Sequence, residues 1–136
     1  MIQRKSLFKV DSDIIVLGIY YIIVIFFYLF FEMIPINYRP VLIDGFLEAS
    51  YPSSTTLLVL SVMPTLIFQA KRRVSNGIAL KCICACSILF SLFMVAGRTV
   101  AGVHWLTDIV GSILLSTGLY LFYKAIVLLI EERSKA

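Results

Sequence analysis

The sequence predicts an all-α integral membrane protein, an antiparallel bundle of four helices in a single domain over residues 1–136. Sixty per cent of its residues are hydrophobic and its mean hydropathy is +0.97, values of a chain whose main solvent is lipid. The apolar residues gather into four runs at about 14–31, 52–70, 77–96 and 105–130. Each is near the roughly 20 residues that an α-helix needs to cross about 30 Å of hydrocarbon. Within lipid every backbone N–H and C=O must be paired inside the protein, and no alternating apolar and polar pattern suggests a barrel. Helices are what remain.

The first run follows Arg4, Lys5 and Lys9, as a signal peptide would, but Phe31, Glu32, Met33, Ile34 and Pro35 offer no small-residue cleavage site. It reads as a retained anchor, with Asp11, Ser12 and Asp13 placed to cap it. The second run opens on Pro52 and Ser53, both favoured in a first helical turn, and closes at Lys71, Arg72 and Arg73. The third holds Cys82, Cys84 and Cys86, of which Cys82 and Cys86 share a face; they read as reduced thiols at a helix contact. Ser91 in the third run, with Gly111, Ser112, Ser116, Thr117 and Gly118 in the fourth, predicts close packing of those two spans. Tyr38, Tyr51, Trp105 and Tyr123 are expected as interfacial anchors.

Basic residues predict the orientation. Arg4, Lys5, Lys9, Lys71, Arg72, Arg73, Lys81, Lys124, Arg133 and Lys135 fall on one side of the bundle, which the positive-inside bias makes cytoplasmic, together with both termini. Lys81 and Lys124 lie near span ends, where a long side chain can snorkel to the interface. Arg39 and Arg98 alone fall on the opposite, external side. Anchoring, or pairing with Asp44, Glu48 or Asp108, accounts for either one taken singly. The net charge of +4 reflects the same bias, and neither a motif nor a basic groove points to nucleic acid.

Chemistry concentrates in the external segments. The one histidine, His104, follows Arg98 by six residues and precedes Asp108 by four. Positions i and i+4 share a helix face, so the carboxylate can accept from one ring nitrogen and leave the other free to attack phosphorus. Gly97 and Gly102 let the turn bend Arg98 back toward the same place. The N-terminus of the fourth helix adds N–H donors and a positive dipole end for an anion. A plainer reading makes Pro52 and Ser53 a helix start and His104 with Asp108 a closed helix end. It leaves Arg39 and Arg98 together without a reason.

In order and spacing these residues resemble the three signature motifs of the type 2 phosphatidic acid phosphatase (PAP2) superfamily. Arg39 and Pro40 stand for the first, Pro52, Ser53, Ser54 and Thr55 for the second, and Arg98, His104 and Asp108 complete the third, Arg-x5-His-x3-Asp. The resemblance extends over about 38–111 and implies a PAP2-like core. It implies phosphoester hydrolysis through a phosphohistidine at His104, oriented by Asp108, with Arg39, Ser53 and Arg98 cradling the phosphate and Ser54 and Thr55 as further candidate contacts. No cofactor is implied. A catalytic metal is not expected either, because one histidine and one nearby aspartate do not make a three-ligand site and Glu32, Asp44 and Glu48 are scattered.

Two departures from the family pattern bear on the substrate. The second motif is usually Pro-Ser-Gly-His, whose histidine protonates the departing oxygen, and Thr55 stands in its place; an alcohol is too weak an acid for that task near neutral pH. The first motif usually places a lysine seven residues before the arginine, and Glu32 stands there. A monoester expels an alkoxide, which needs a proton, whereas a diphosphate expels a phosphate, which does not. The expected substrate is therefore a lipid diphosphate such as a polyprenyl diphosphate, met at the external face of the plasma membrane with its tail between helices. Tyr38 and Tyr51 are the alternative proton donors. The contrasting reading is a catalytically degenerate relative that binds a phospholipid head group or a membrane partner. Family members usually have six spans against the four here, so a homo-oligomer could cover the exposed faces. A channel has less support, because no ionisable residue lies mid-span.

Overall fold

A computed structural model describes residues 11–135, so the basic residues Arg4, Lys5 and Lys9 lie outside the described residues. Four helices follow one another, α1 (Ser12–Met33), α2 (Ser54–Arg73), α3 (Gly77–Val100) and α4 (Leu106–Lys135). All four are long and apolar enough to cross a membrane. The all-α bundle of four membrane-spanning helices is thus the architecture of the chain, and large side chains such as Ile22, Phe93 and Leu114 face outward as lipid requires.

Helix order follows from polarity. The least apolar of the four, α2, is the most buried, because Ser61, Thr65 and Gln69 on it must be withdrawn from lipid. It lies centrally, with α3 on one side and α4 on the other, and α1 closes the remaining side against α4 and α2. Tyr20, Val24, Leu57, Tyr123 and Val127 form the core where α1, α2 and α4 meet. Hydrogen bonds across the core do what the hydrophobic effect cannot do between helices in lipid. Tyr20 donates its hydroxyl to the Ser61 carbonyl at 3.3 Å, and the Tyr21 hydroxyl meets Thr65 Oγ1 at 2.7 Å. Tyr123, expected at an interface, is 1% exposed, because its hydroxyl is the partner of the buried Gln69 amide at 2.7 Å.

The end carrying Arg72 and Arg73 is laced by charge. Arg73 reaches Asp13 at 2.8 Å and Asp11 at 3.3 Å, and Arg72 pairs with Glu131, so α1, α2 and α4 are joined there. Asp11 does occupy the N-cap position of α1, but its side chain forms no cap bond and turns to Arg73 instead. Asn76 supplies the side-chain cap of α3, accepting from the N–H groups of Ile78 and Ala79 at 2.9 and 3.1 Å.

Three expectations about α3 are corrected. It runs past the predicted end at Ala96, because Gly97 stays helical and the chain breaks only at Gly102, whose φ of +65° ends the helix; Arg98 therefore lies in the last turn of α3 rather than in a loop. Of the small residues of α4, Gly111 and Ser112 meet the segment before α2 rather than α3, Ser112 donating to the Ser53 carbonyl at 3.1 Å, and Thr117 and Gly118 are exposed. Cys82 and Cys86 are exposed on the outer side of α3 and line no helix contact.

Gly111 explains how closely the chain before α2 approaches α4. A Cβ at this position would overlap the outer ring atoms of Tyr51. Gly111→Ala is expected to destabilise the protein by about 1–3 kcal/mol in thermal unfolding in detergent micelles. The same substitution should be nearly neutral in a Tyr51→Ala background. An equal loss in both backgrounds would show that the ring is not the obstacle.

Candidate active site

Residues 34–53, between α1 and α2, fold back on themselves. Asp44 and Gly45 take φ of 48° and 82°, the pair of positive values that an Asp-Gly step favours at a tight hairpin tip. Below the tip, Ile43 and Phe46 exchange hydrogen bonds at 3.1 and 2.8 Å, Arg39 N–H donates to the Glu48 carbonyl at 3.1 Å, and Ser50 N–H donates to the Asn37 carbonyl at 2.8 Å. The hairpin is held on the start of α4 by Trp105, whose indole N–H donates to the Tyr38 carbonyl at 2.8 Å. Ser53 N–H reaches the Asp108 carbonyl at 3.4 Å and so docks the start of α2 on the same turn.

His104 lies two residues before α4 begins at Leu106 and is 7% exposed. Its Nδ1 donates to the Ser50 carbonyl at 3.0 Å and lies 3.3 Å from Ser50 Oγ. That bond keeps the proton on Nδ1 and leaves Nε2 with a free lone pair. Burial, then the positive charge of Arg39, holds the imidazole below its ordinary value of 6.5; Arg98 adds to this, while the Ser50 carbonyl and Asp108 oppose it. The net direction favours the neutral ring.

Asp108 is fully buried at the third position of α4. One oxygen, Oδ2, accepts from the Trp105 N–H at 2.8 Å and from the Ser50 hydroxyl, and Oδ1 faces Asn37 Nδ2 at 3.5 Å. The bond from Trp105 is half of a capping box. Between His104 Nδ1 and Asp108 Oδ2 the distance is 3.8 Å, beyond a hydrogen bond. The direct contact expected from the i, i+4 spacing does not form, because His104 sits before the helix begins and Ser50 comes between.

A cavity of about 450 Å³ opens beside this cluster, walled by Tyr28 and Glu32 of α1, Arg39 and Glu48 of the hairpin, Pro52 and Ser54 at the start of α2, and His104. Arg39 Nε lies 3.2 Å from Glu48 Oε2, yet it is buried without a hydrogen-bond partner among the described residues. Arg98 reaches across from α3 to donate to Thr55 Oγ1. Ser53 is fully buried, its hydroxyl against Thr56 Oγ1 at 3.1 Å, so Ser54 rather than Ser53 lines the cavity. Of the residues singled out from the sequence, then, Arg39, Ser54 and His104 share the cavity wall, Asp108 lies behind His104, and Arg98 with Thr55 stands to one side.

Reasoning from sequence misses Ser50 and Asn37. Their partners lie 58 and 71 residues away in sequence. The Asp44-Gly45 pair signals a hairpin, but the register it sets at Ile43 and Phe46 would put Asn37 opposite Pro52, whereas the stems pair Tyr38 with Ala49 and bring Asn37 to Ser50. Among the described residues no three His, Cys, Asp or Glu side chains gather as a metal site would require.

A membrane helix bundle with a buried neutral imidazole and two guanidiniums at one end defines a class of protein suited to phosphate groups at a membrane surface. The chain belongs to the PAP2 superfamily, whose sequence model matches residues 16–131, most of its length. No curated protein and no solved structure matches it. Membership supports phosphatase activity of the lipid-phosphatase kind at the level of the family, acting on membrane lipid substrates.

The charge around the ring gives a pH expectation with a definite sign. Arg39 disfavours the imidazolium, so Arg39→Gln makes the ring easier to protonate and moves its midpoint up. With one histidine in the chain, a single imidazole ¹⁵N titration in micelles reads this directly. A midpoint unmoved or lowered by the substitution would contradict the electrostatic account.

Proposed function

We propose that the protein is a membrane lipid phosphatase that removes a phosphate from a lipid head group through a phosphohistidine at His104, with a lipid diphosphate such as a polyprenyl diphosphate as preferred substrate. The observation that carries the reading is the buried imidazole, its Nδ1 committed to Ser50, sharing a cavity with the Arg39 guanidinium, whose Nε has no hydrogen bond among the described residues. Nε2 attacks phosphorus as the bond to the leaving oxygen breaks, and water then attacks the phosphohistidine and returns the ring to its starting form. Arg39 and Ser54 bind the phosphate oxygens, and Arg98 joins them on releasing Thr55. Ser53 holds the backbone of this turn against Asp108 rather than touching substrate. By the basic residues at the other end, the site faces the outside of the plasma membrane.

The carboxylates temper the cavity. Glu48 occupies Arg39 until a phosphate displaces it, and Glu32 stands where the family has a cation. No second histidine lines the cavity to serve as the family motif's proton donor, both nitrogens of His104 are engaged during attack, and the carboxyl groups there are those of Glu32 and Glu48. A leaving group stable as an anion suits such a site, which is the physical basis for preferring a diphosphate. The competing reading is a head-group binder without turnover, favoured by Glu32.

Detergent-purified protein is expected to release phosphate from a polyprenyl diphosphate faster than from the corresponding monophosphate, and His104→Ala to abolish release from both. Arg39→Ala should lower kcat by about 10²–10³-fold. Binding without turnover, and no acid-labile phosphohistidine in the wild-type protein, would favour the binder. Thr55→His returns the proton donor of the family motif, and it should raise monophosphate hydrolysis by a larger factor than diphosphate hydrolysis. An equal effect on both would separate substrate choice from the missing acid.

A further inference from the structure

Ser50 contributes three groups to the site from a single fully wrapped position. It is 1% exposed. Its N–H is held by the Asn37 carbonyl at 2.8 Å, its carbonyl takes the proton of His104 Nδ1 at 3.0 Å, and its hydroxyl donates to Asp108 Oδ2. A serine hydroxyl has one proton to give, and an ionised carboxylate can only accept, so the Ser50 proton goes to Asp108 and its lone pairs face the Nδ1–H at 3.3 Å. The carboxylate and the imidazole, 3.8 Å apart, communicate through this residue.

We propose that Ser50 is the positioning residue of the site, orienting the His104 ring through its carbonyl and coupling that ring to Asp108 through its hydroxyl in place of a direct histidine–aspartate bond. The inference rests on His104 being the nucleophile only for its kinetic consequence; the structural part concerns the ring itself. Removing the hydroxyl takes a donor from Asp108 and leaves a more basic carboxylate beside the imidazole. The ring then protonates more readily and loses its coupling to Asp108, while the bond from Nδ1 to the Ser50 carbonyl remains.

The test compares Ser50→Ala, Asp108→Asn and the double variant in full-length protein in micelles, by imidazole ¹⁵N titration and by steady-state hydrolysis of a lipid diphosphate. Ser50→Ala is expected to raise the titration midpoint by about one unit and to lower kcat at least about tenfold with KM changed by less than about twofold. The double variant should be no slower than Asp108→Asn, because both substitutions cut the same link. An unmoved midpoint, or losses that multiply, would overturn the proposal. Should the alanine variant not fold, Ser50→Thr and Ser50→Val, alike in shape and differing in the hydroxyl, carry the same comparison. Activity surviving in His104→Ala would refute the phosphatase mechanism, and the titration midpoint of Ser50→Ala would then decide the role of Ser50 by itself.

Discussion

A carboxylate buried at the end of an apolar bundle must be supplied with donors, and the arrangement of the site follows from how Asp108 obtains them. An unpaired buried charge is destabilising by several kcal/mol. Asp108 is fully buried, and its donors come from its own helix start, through Trp105 N–H, and from the two stems of the hairpin, through Asn37 and Ser50. Those bonds bring residues 34–53 down onto α4. They also set Ser50 against His104, so the demand of one acid for partners is what aims the imidazole.

The opposite end of the bundle shows the same logic in a different form. Asp13 is buried in the first turn of α1 and obtains two arginines from the last turn of α2, one of which also holds Glu131 of α4. Ionic contacts at one end and a hydrogen-bonded carboxylate at the other bracket a core of Tyr20, Val24, Leu57, Tyr123 and Val127. Since lipid offers helices no hydrophobic incentive to associate, polar closures of this sort at both ends carry much of the specificity of packing. The helix without such a closure to α4 is α3, which is clasped mainly by α2 and tied at its end by Arg98 to Thr55.

The four spans are legible in the sequence because lipid imposes a simple rule on length and polarity, and their centres fall where the apolar runs do. Their ends are less so: Gly97 gives no sign that α3 continues through Arg98, since glycine ends a helix only where the following backbone turns, which here is at Gly102. The spacing of His104 and Asp108 brings them near each other as expected, but the helix begins only at Leu106, two residues after His104, and they do not bond; no local pattern discloses a serine inserted from the far side of a hairpin. Tyr123 misleads for a related reason. An aromatic beside Lys124 reads as an interfacial anchor until Gln69, distant in sequence, is seen to need its hydroxyl.

The two stems of the hairpin and its apex live under different rules. Near α4, the rung between Asn37 and Ser50 is clamped by the indole of Trp105 and by Asp108, so a residue added there would shift the ring of His104. At Asp44 and Gly45 the chain is exposed and bonded only to itself. Growth or drift in sequence at that crest has no lever arm on the chemistry, which makes the crest the natural ground for variation and the stems the ground where variation is forbidden.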